Sequence, residues 1–223
     1  MQVTSKLLFL PGYGCRSSIW EPLAALLKPD FEATLLDWPI ESLSGFHRVE
    51  DFGAWLAGEA SVTGGEFDAV IGHSMGGLAA LKLAQTLKFP RVVLCESFLT
   101  PPKPFFQNLV WGPKSNLVEV QVSAMVAEES PRYSPRLQKE LKTGRFVGWA
   151  SAAKCEISAV YGTRGAADPV EVMGKLDWPD PLFDKIRVSL IDGCAHFPML
   201  ENPQTAADAI RESLHPEQLD PGD

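Results

Sequence analysis

One stretch of the sequence decides the fold, and it reads Ala69-Val70-Ile71-Gly72-His73-Ser74-Met75-Gly76-Gly77. It predicts a short apolar strand, a tight Gly-x-Ser-x-Gly turn and the first residues of a helix. The residues that follow, 78–85, have high helix propensity and contain no helix breaker. Such a turn lifts a serine hydroxyl above the carboxyl end of a parallel sheet, where a neighbouring base makes it nucleophilic. The alternative is a glycine-rich turn that binds a phosphate or no ligand.

Strands and helices alternate on both sides of this stretch. This alternation predicts an α/β fold, with a mostly parallel sheet covered by helices on both faces. The apolar runs at 68–72 and 91–95 fit parallel strands that are buried on both sides. The predicted strands lie at 6–10, 32–37, 68–72, 91–95, 156–161 and 186–191, and the predicted helices at 18–27, 49–60, 75–87 and 204–214.

The segment 100–153 interrupts this rhythm. It begins with three prolines, contains no clear strand, and has two helical patterns at 116–129 and 134–143. We interpret it as a short helical lid or cap inserted into an α/β core formed by 1–99 and 154–214. Its aromatic residues predict either an apolar underside facing a substrate or a simple seal against the core. The tail, 215–223, is polar and rich in proline, which predicts a flexible end.

Composition limits the classes of function. A chain of 223 residues with 45% hydrophobic residues suits one globular domain. The net charge of −8 argues against a nucleic-acid partner, which would need a basic face. We find no apolar run long enough to span a membrane and no secretory signal, and we expect a cytoplasmic protein. The four cysteines are far apart, which predicts free thiols rather than disulfides or a zinc site.

The serine needs a base, and His196 is the best candidate among the four histidines. It lies in the loop between the strand at 186–191 and the last helix, from which a side chain reaches the carboxyl edge of the sheet. His73 is next to the serine, and we expect its side chain to point away from the hydroxyl. His47 lies in a polar loop and His215 in the tail.

The acid that would orient His196 has more than one candidate. Asp168 is the carboxylate in the loop after the strand at 156–161, and we favour it for this role. Because Pro169 follows it, Asp168 also fits a helix cap. Glu96, directly after the strand at 91–95, is a competitor at another carboxyl end. Asp192 is close to His196 in sequence, but we expect it to cap the loop that contains the histidine.

An oxyanion hole would complete the machinery. Two backbone N–H groups are needed to stabilise the negative oxygen of the transition state. Met75, the residue after the serine, would supply one. The loop Leu10-Pro11-Gly12-Tyr13-Gly14-Cys15 would supply the other from Tyr13, since its glycines allow the backbone to fold tightly towards the serine. The alternative is an ordinary strand-to-helix turn.

Along nearly its whole length the chain resembles the α/β-hydrolase superfamily. Serine, acid and histidine follow one another in the order of that superfamily. The resemblance is closest to small bacterial esterases and thioesterases, including those that cleave pimeloyl methyl esters. The motifs involved are Leu10-Pro11-Gly12-Tyr13-Gly14 with Trp20, Asp37-Trp38-Pro39, Gly72-His73-Ser74-Met75-Gly76-Gly77, Gly162 with Asp168-Pro169, and Ala195-His196-Phe197-Pro198 with Glu201-Asn202-Pro203.

The chain also departs from the pattern of this superfamily. Pro11 stands where its members usually have a histidine. Members often have the acid three residues after the glycine that ends the strand, and Gly165 occupies that point here. Asp168 would therefore act through a longer loop, or Glu96 would replace it. The lid is shorter than in many members, which suggests an open site or a small acyl pocket.

Together these features predict a serine hydrolase that cleaves a carboxylic ester or thioester through an acyl-enzyme. The catalytic residues would be Ser74, His196 and Asp168, with no cofactor and no metal. The substrate would be a small acyl ester or acyl-thioester, free or bound to a carrier protein. The alternatives are a cofactor-free lyase or C–C bond hydrolase with the same triad, and a non-catalytic binding domain. The predicted pocket residues are Trp111, Phe197 and Met199.

Overall fold

The computed structural model describes residues 5–28, 30–62, 66–110 and 116–214. Within this part of the chain, six strands form one sheet in the order β2-β1-β3-β4-β5-β6, and every neighbouring pair is parallel. The predicted α/β fold with a parallel sheet is thus confirmed. The strands are β1 (Ser5–Leu10), β2 (Phe31–Leu35), β3 (Ala69–His73), β4 (Arg91–Cys95), β5 (Glu156–Gly162) and β6 (Ile186–Ile191).

Helices connect the strands and cover both faces of the sheet. Four short 3₁₀ helices, at Ser17–Trp20, Ile40–Gly45, Pro104–Gln107 and Ser130–Arg132, lie among the described residues. The α-helices are α1 (Glu21–Leu27), α2 (Val49–Val62), α3 (Met75–Leu83), α4 (Asn116–Glu129), α5 (Pro135–Thr143), α6 (Val147–Ala152), α7 (Pro169–Lys175), α8 (Asp180–Lys185), α9 (Pro198–Glu201) and α10 (Pro203–Leu214).

The central strands are buried on both sides, as their unbroken apolar sequences predict. All of β3 is buried, and all of β4 except Arg91. One core contains α2 and α3, and the other contains α1 and α10. Because all strands are parallel, their carboxyl ends meet at one edge, and this is where Ser74 stands.

The observed elements match most of the predicted ones. The helix after the serine ends at Leu83, earlier than the predicted end at residue 87. Among its described residues, the segment between β4 and β5 contains three α-helices, α4, α5 and α6, of which the sequence indicated the first two. Two parts of the prediction lie outside the described residues: the tail at 215–223, which contains His215, and the pocket residue Trp111. None of the described helices is both long and apolar enough to cross a membrane.

Candidate active site

Ser74 occupies a strained turn between β3 and α3. Its backbone φ is 51° and its ψ is −117°, a conformation that residues other than glycine rarely adopt. Its N–H donates to the carbonyl of Cys95 on the neighbouring strand, 2.8 Å away. Only glycine fits at position 72, since a Cβ there would overlap the backbone of Gly76 and Gly77. The structure therefore shows the sharp strand-to-helix turn that the sequence predicted, with the serine at its tip.

His196 lies in the loop after β6, and hydrogen bonds of the adjacent residues hold this loop in place. The Glu201 carboxylate accepts hydrogen bonds from the backbone N–H groups on either side of His196, from Ala195 at 3.0 Å and from Phe197 at 3.1 Å. The imidazole is almost parallel to the ring of Phe98, with the two planes 11° apart and the centroids 5.9 Å apart. With 13% of its side chain exposed, His196 borders the same cavity as Ser74.

His73 forms a hydrogen bond to the backbone of the loop that contains His196. Its Nε2 lies 2.8 Å from the carbonyl oxygen of His196, and because a carbonyl only accepts, Nε2 is the protonated nitrogen. Burial and the nearby His196 lower the pKa of His73 well below its ordinary value, so its ring is neutral. The sequence predicted that the His73 side chain points away from the Ser74 hydroxyl; in the structure its Nε2 faces the carbonyl of His196, and His73 is one of the residues that line the cavity.

Glu96 is the carboxylate that contacts His196. Its Oε2 lies 3.2 Å from Nδ1 of the imidazole, and its Oε1 accepts the N–H of Gly162 at 2.6 Å. Arg164 donates to both carboxylate oxygens, at 3.0 and 2.5 Å, and the two side chains are 1% and 0% exposed. This arrangement directs Nδ1–H at the carboxylate and leaves Nε2 of His196 free to accept a proton.

The charge state of Glu96 follows from these neighbours. Burial alone would raise the pKa of the carboxyl group, but the Arg164 guanidinium and the hydrogen bond from His196 outweigh it and bring the pKa below its ordinary value. Glu96 is therefore a carboxylate at neutral pH, as a partner of an imidazolium must be.

Asp168, the acid favoured from the sequence, lies elsewhere. It is exposed, and its side chain caps α7 by accepting the N–H of Val170 at 2.8 Å. Asp192 accepts the hydroxyl of Thr163 at 2.8 Å. The structure thus corrects the assignment of Asp168, because the Asp-Pro pair starts a helix, and it brings the competitor Glu96 to the imidazole instead.

The two predicted oxyanion donors border the cavity with Ser74. Met75 is the first residue of α3, so its N–H has no acceptor within the helix. The loop that contains Tyr13 packs against the serine, because a Cβ placed on Gly12 would lie 3.2 Å from Cβ of Ser74. The Tyr13 hydroxyl donates to the carbonyl of Ser130, which ties this loop to the segment between β4 and β5.

The cavity above Ser74 has a volume of about 300 Å³ and a mostly apolar lining. Of the predicted pocket residues, Phe197 lines it, whereas the expectation for Met199 is wrong. Met199 is fully buried in the core because the short helix α9 turns it towards the inside of the protein. The segment between β4 and β5 supplies Pro102, Phe106, Gln107, Leu109, Val126, Gln138, Leu141 and Lys142 to the lining.

The cysteines near the site are not reactive thiolates. All four cysteines are free in the structure. Cys15 borders the cavity, and burial raises its pKa to about 12. Burial likewise raises the pKa of Cys194 to about 12. Both thiols are therefore in the neutral, less nucleophilic form near pH 7.

The sequence profile of a family described as "Alpha/beta hydrolase family" matches residues 7–209. The comparison with curated proteins gives no match.

Solved structures with the same fold include enzymes of different kinds. A thermophilic esterase from Thermogutta terrifontis superposes with a TM-score of 0.73 at 19% identity, over 95% of this chain and 90% of that one. Carboxylesterase CesB from Bacillus subtilis gives 0.70 at 15% identity, over 96% and 85%. A 1H-3-hydroxy-4-oxoquinoline 2,4-dioxygenase gives 0.70 at 19% identity, over 96% and 93%. At such identities the likeness shows the shared fold alone.

Proposed function

The chain belongs to the alpha/beta hydrolase family, and we propose that it cleaves a carboxylic ester or thioester through Ser74, His196 and Glu96. One observation supports this proposal most. A serine on a strained turn shares a cavity with a histidine whose Nδ1 contacts a buried carboxylate 3.2 Å away. The strain, the burial and the hydrogen bond together are typical of a nucleophile with its base and the acid that orients the base.

The reaction would proceed in two halves. In the first, Oγ of Ser74 attacks the acyl carbon while Nε2 of His196 takes its proton. The N–H groups of Tyr13 and Met75 stabilise the negative oxygen of the tetrahedral intermediate. Collapse of this intermediate breaks the bond to the alcohol or thiol, which leaves with the proton from His196, and the acyl group stays on Ser74.

In the second half, water attacks the acyl-enzyme and His196 takes a proton from it. The tetrahedral intermediate then releases the carboxylic acid, and the same proton returns to Oγ of Ser74. Throughout, Glu96 stays ionised and holds the imidazole in the tautomer with hydrogen on Nδ1. The mostly apolar lining of the cavity suits the acyl chain rather than a charged group.

The test replaces the nucleophile and compares the two acids. With p-nitrophenyl esters of increasing chain length, Ser74→Ala should lower kcat by about 10⁴-fold or more. Glu96→Gln should lower kcat by about 10²–10⁴-fold, because an amide cannot balance the charge of the imidazolium. Asp168→Asn is the matched control and should stay near the wild type. A fluorophosphonate probe should label the wild type and fail to label Ser74→Ala.

Two results would contradict the proposal. Unchanged turnover in Ser74→Ala would remove the serine from the reaction. A loss of activity in Asp168→Asn as large as that in Glu96→Gln would favour Asp168, in the loop after β5, as the acid.

A panel of acyl-CoA, acyl-carrier-protein and simple ester substrates, compared by kcat/KM, would identify the leaving group. Mass spectrometry of an acyl group trapped on Ser74 separates hydrolysis from lyase chemistry.

A further inference from the structure

Arg164 is a buried cation in contact with the proposed catalytic acid. Its guanidinium forms both hydrogen bonds to the Glu96 carboxylate and a third to the carbonyl of Gly162 at 2.9 Å. Its Cζ lies 5.0 Å from the ring centroid of Phe106, which lines the cavity. The guanidinium thus connects the acid, the end of β5 and one side of the substrate cavity.

The backbone around this pair is strained at both residues. Glu96 has a φ of 53° and Arg164 a φ of 52°, and neither is a glycine. The N–H of Arg164 also donates to the carbonyl of Cys194, in the loop that leads to His196. A buried ion pair needs expensive desolvation, and apolar side chains of similar volume often give equal or greater stability. Strain and desolvation at the same two residues favour a functional role for this pair over a purely structural one.

We propose that Arg164 is a positioning residue that aims the Glu96 carboxylate at His196 and sets the proton affinity of the Glu96–His196 pair. The catalytic part of this inference rests on the proposed function, whereas the electrostatic part concerns the two side chains alone. Two parallel N–H bonds fix the plane of a carboxylate more firmly than one bond does. The positive charge of Arg164 also favours the ionised form of Glu96, the partner of the imidazole.

Three other titratable groups near Glu96 are held neutral by burial. Burial raises the pKa values of Cys95 and Tyr161 well above their ordinary ranges and lowers that of His73. Among the described residues, the charged and titratable groups around Glu96 are Arg164, Tyr161, Cys95, Cys194 and His73. Tyr13, Cys15 and Lys142 line the same cavity as His196, and Asp192 and Glu201, on the loop of His196, act on Cys194.

Removal of Arg164 should change the proton affinity of the pair in the same direction whether Glu96 or His196 holds the proton. In the wild type, the ionised pair of Arg164 and Glu96 is neutral, so protonation of the imidazole adds a net positive charge to a buried site. Without Arg164, the same proton neutralises a net negative charge. Removal of the guanidinium therefore increases the proton affinity of Glu96 and His196 taken together.

The test follows the His196 imidazole by NMR over pH, which needs no catalytic turnover. In Arg164→Met the midpoint of this titration should rise by about 1 pH unit or more relative to the wild type. Arg164→Lys keeps the charge and should restore most of the wild-type midpoint. Arg91→Met removes an arginine from the other end of the same pair of strands and should leave the midpoint unchanged. The acidic limb of kcat/KM should move in the same direction.

A second variant keeps the inference falsifiable if Arg164→Met does not fold. Glu96→Gln leaves the guanidinium without its carboxylate, so the His196 midpoint should fall. A midpoint that stays at the wild-type value in either variant, or moves opposite to the stated direction, overturns the inference. Shifted midpoints with full activity in Ser74→Ala would remove the proposed function and keep the electrostatic role. Loss of activity in Ser74→Ala with unmoved midpoints would keep the proposed function and remove the electrostatic role.

Discussion

The two ends of the β4–β5 strand pair carry the same chemistry in opposite surroundings. At the amino ends, Arg91 and Glu156 are paired in the register and their side chains meet at 2.9 Å, with 27% and 65% of each exposed. At the carboxyl ends, Glu96 and Arg164 meet through two hydrogen bonds and are almost fully buried. One ion pair is solvated, and the other is enclosed beside His196.

This difference indicates that the carboxyl edge of the sheet lowers the stability of the fold, whereas the amino edge does not. The exposed pair joins ordinary strand residues, and water screens its charges. The buried pair combines desolvation with two residues at positive φ. Parallel strands present their carboxyl ends on one edge, so this edge can gather groups from several strands around Ser74. We infer that stability is given up at this edge for the geometry of the candidate site.

The largest expected effect is loss of stability on breaking the buried pair. Arg164→Met leaves a buried carboxylate without its cation, and we expect the free energy of unfolding to fall by about 3–5 kcal/mol. Chemical denaturation at pH 7, followed by circular dichroism, measures it. A loss below about 1 kcal/mol, the usual value of an exposed pair, would mean that water reaches the carboxylate and that the two ends are alike.

A double replacement serves as the control for this prediction. Glu96→Leu combined with Arg164→Met removes both charges, so no uncompensated ion remains in the core. We expect it to recover much of the stability lost in Arg164→Met, because apolar replacement of a buried ion pair is often close to neutral. It should not recover activity, since His196 loses its acceptor at Nδ1. Recovery of both would show that the pair has a packing role only.

A smaller effect concerns the stability of the protein in acid. The pKa of Glu96 is lower in the folded protein than its ordinary value of 4.5, so the unfolded chain binds more protons just below pH 4.5. Its stabilising contribution is present above that pH and is lost as the pH falls towards the folded-state pKa. Glu96→Gln should therefore show a shallower fall of unfolding free energy below pH 4.5, by at most about 1.4 kcal/mol per pH unit.

Glu156→Gln, at the exposed end, is the matched control for the acid series. It removes a carboxylate from the same pair of strands and should keep the steep wild-type fall. If unfolding free energy falls equally steeply with pH in the wild type and in Glu96→Gln, then Glu96 takes up no proton when the protein unfolds in this pH range. The lowered pKa of Glu96 in the folded protein would then be wrong.

The sequence was sufficient for the parts of the site that depend on local chain geometry. The turn at Ser74 follows from glycine spacing between an apolar strand and a helix, and the histidine loop from its place after the last strand. The order of the strands along the chain, joined by helices, was also enough to predict a parallel sheet. These features are determined by neighbours in sequence, which a single chain makes visible.

The acid could not be chosen from the sequence because its choice depends on distant contacts. Asp168 and Glu96 both follow a strand at the same edge, and only tertiary structure separates them. The signal against Asp168 was the proline after it, which fits a helix cap. The signal for Glu96 was Arg164 in the loop after the adjacent strand, but positive φ values at two residues other than glycine have no sequence signature. Met199 was misplaced for a similar reason, since the short helix α9 turns it into the core.

The smallest expected effect is at the exposed end of the strand pair. Arg91→Met should lower the free energy of unfolding by no more than about 1 kcal/mol, because its partner Glu156 is largely solvated and the methionine keeps most of the aliphatic contact. The loss should shrink further in about 1 M salt, where the Debye length is about 3 Å. Denaturation at low and high salt, in parallel with Arg164→Met, checks both statements. A loss as large as that in Arg164→Met, or one that salt does not change, would mean that position on the strand pair rather than burial decides the strength of these ion pairs. The small value is the necessary counterpart of the large one, because the two arginines differ chiefly in how much water and strain surround them.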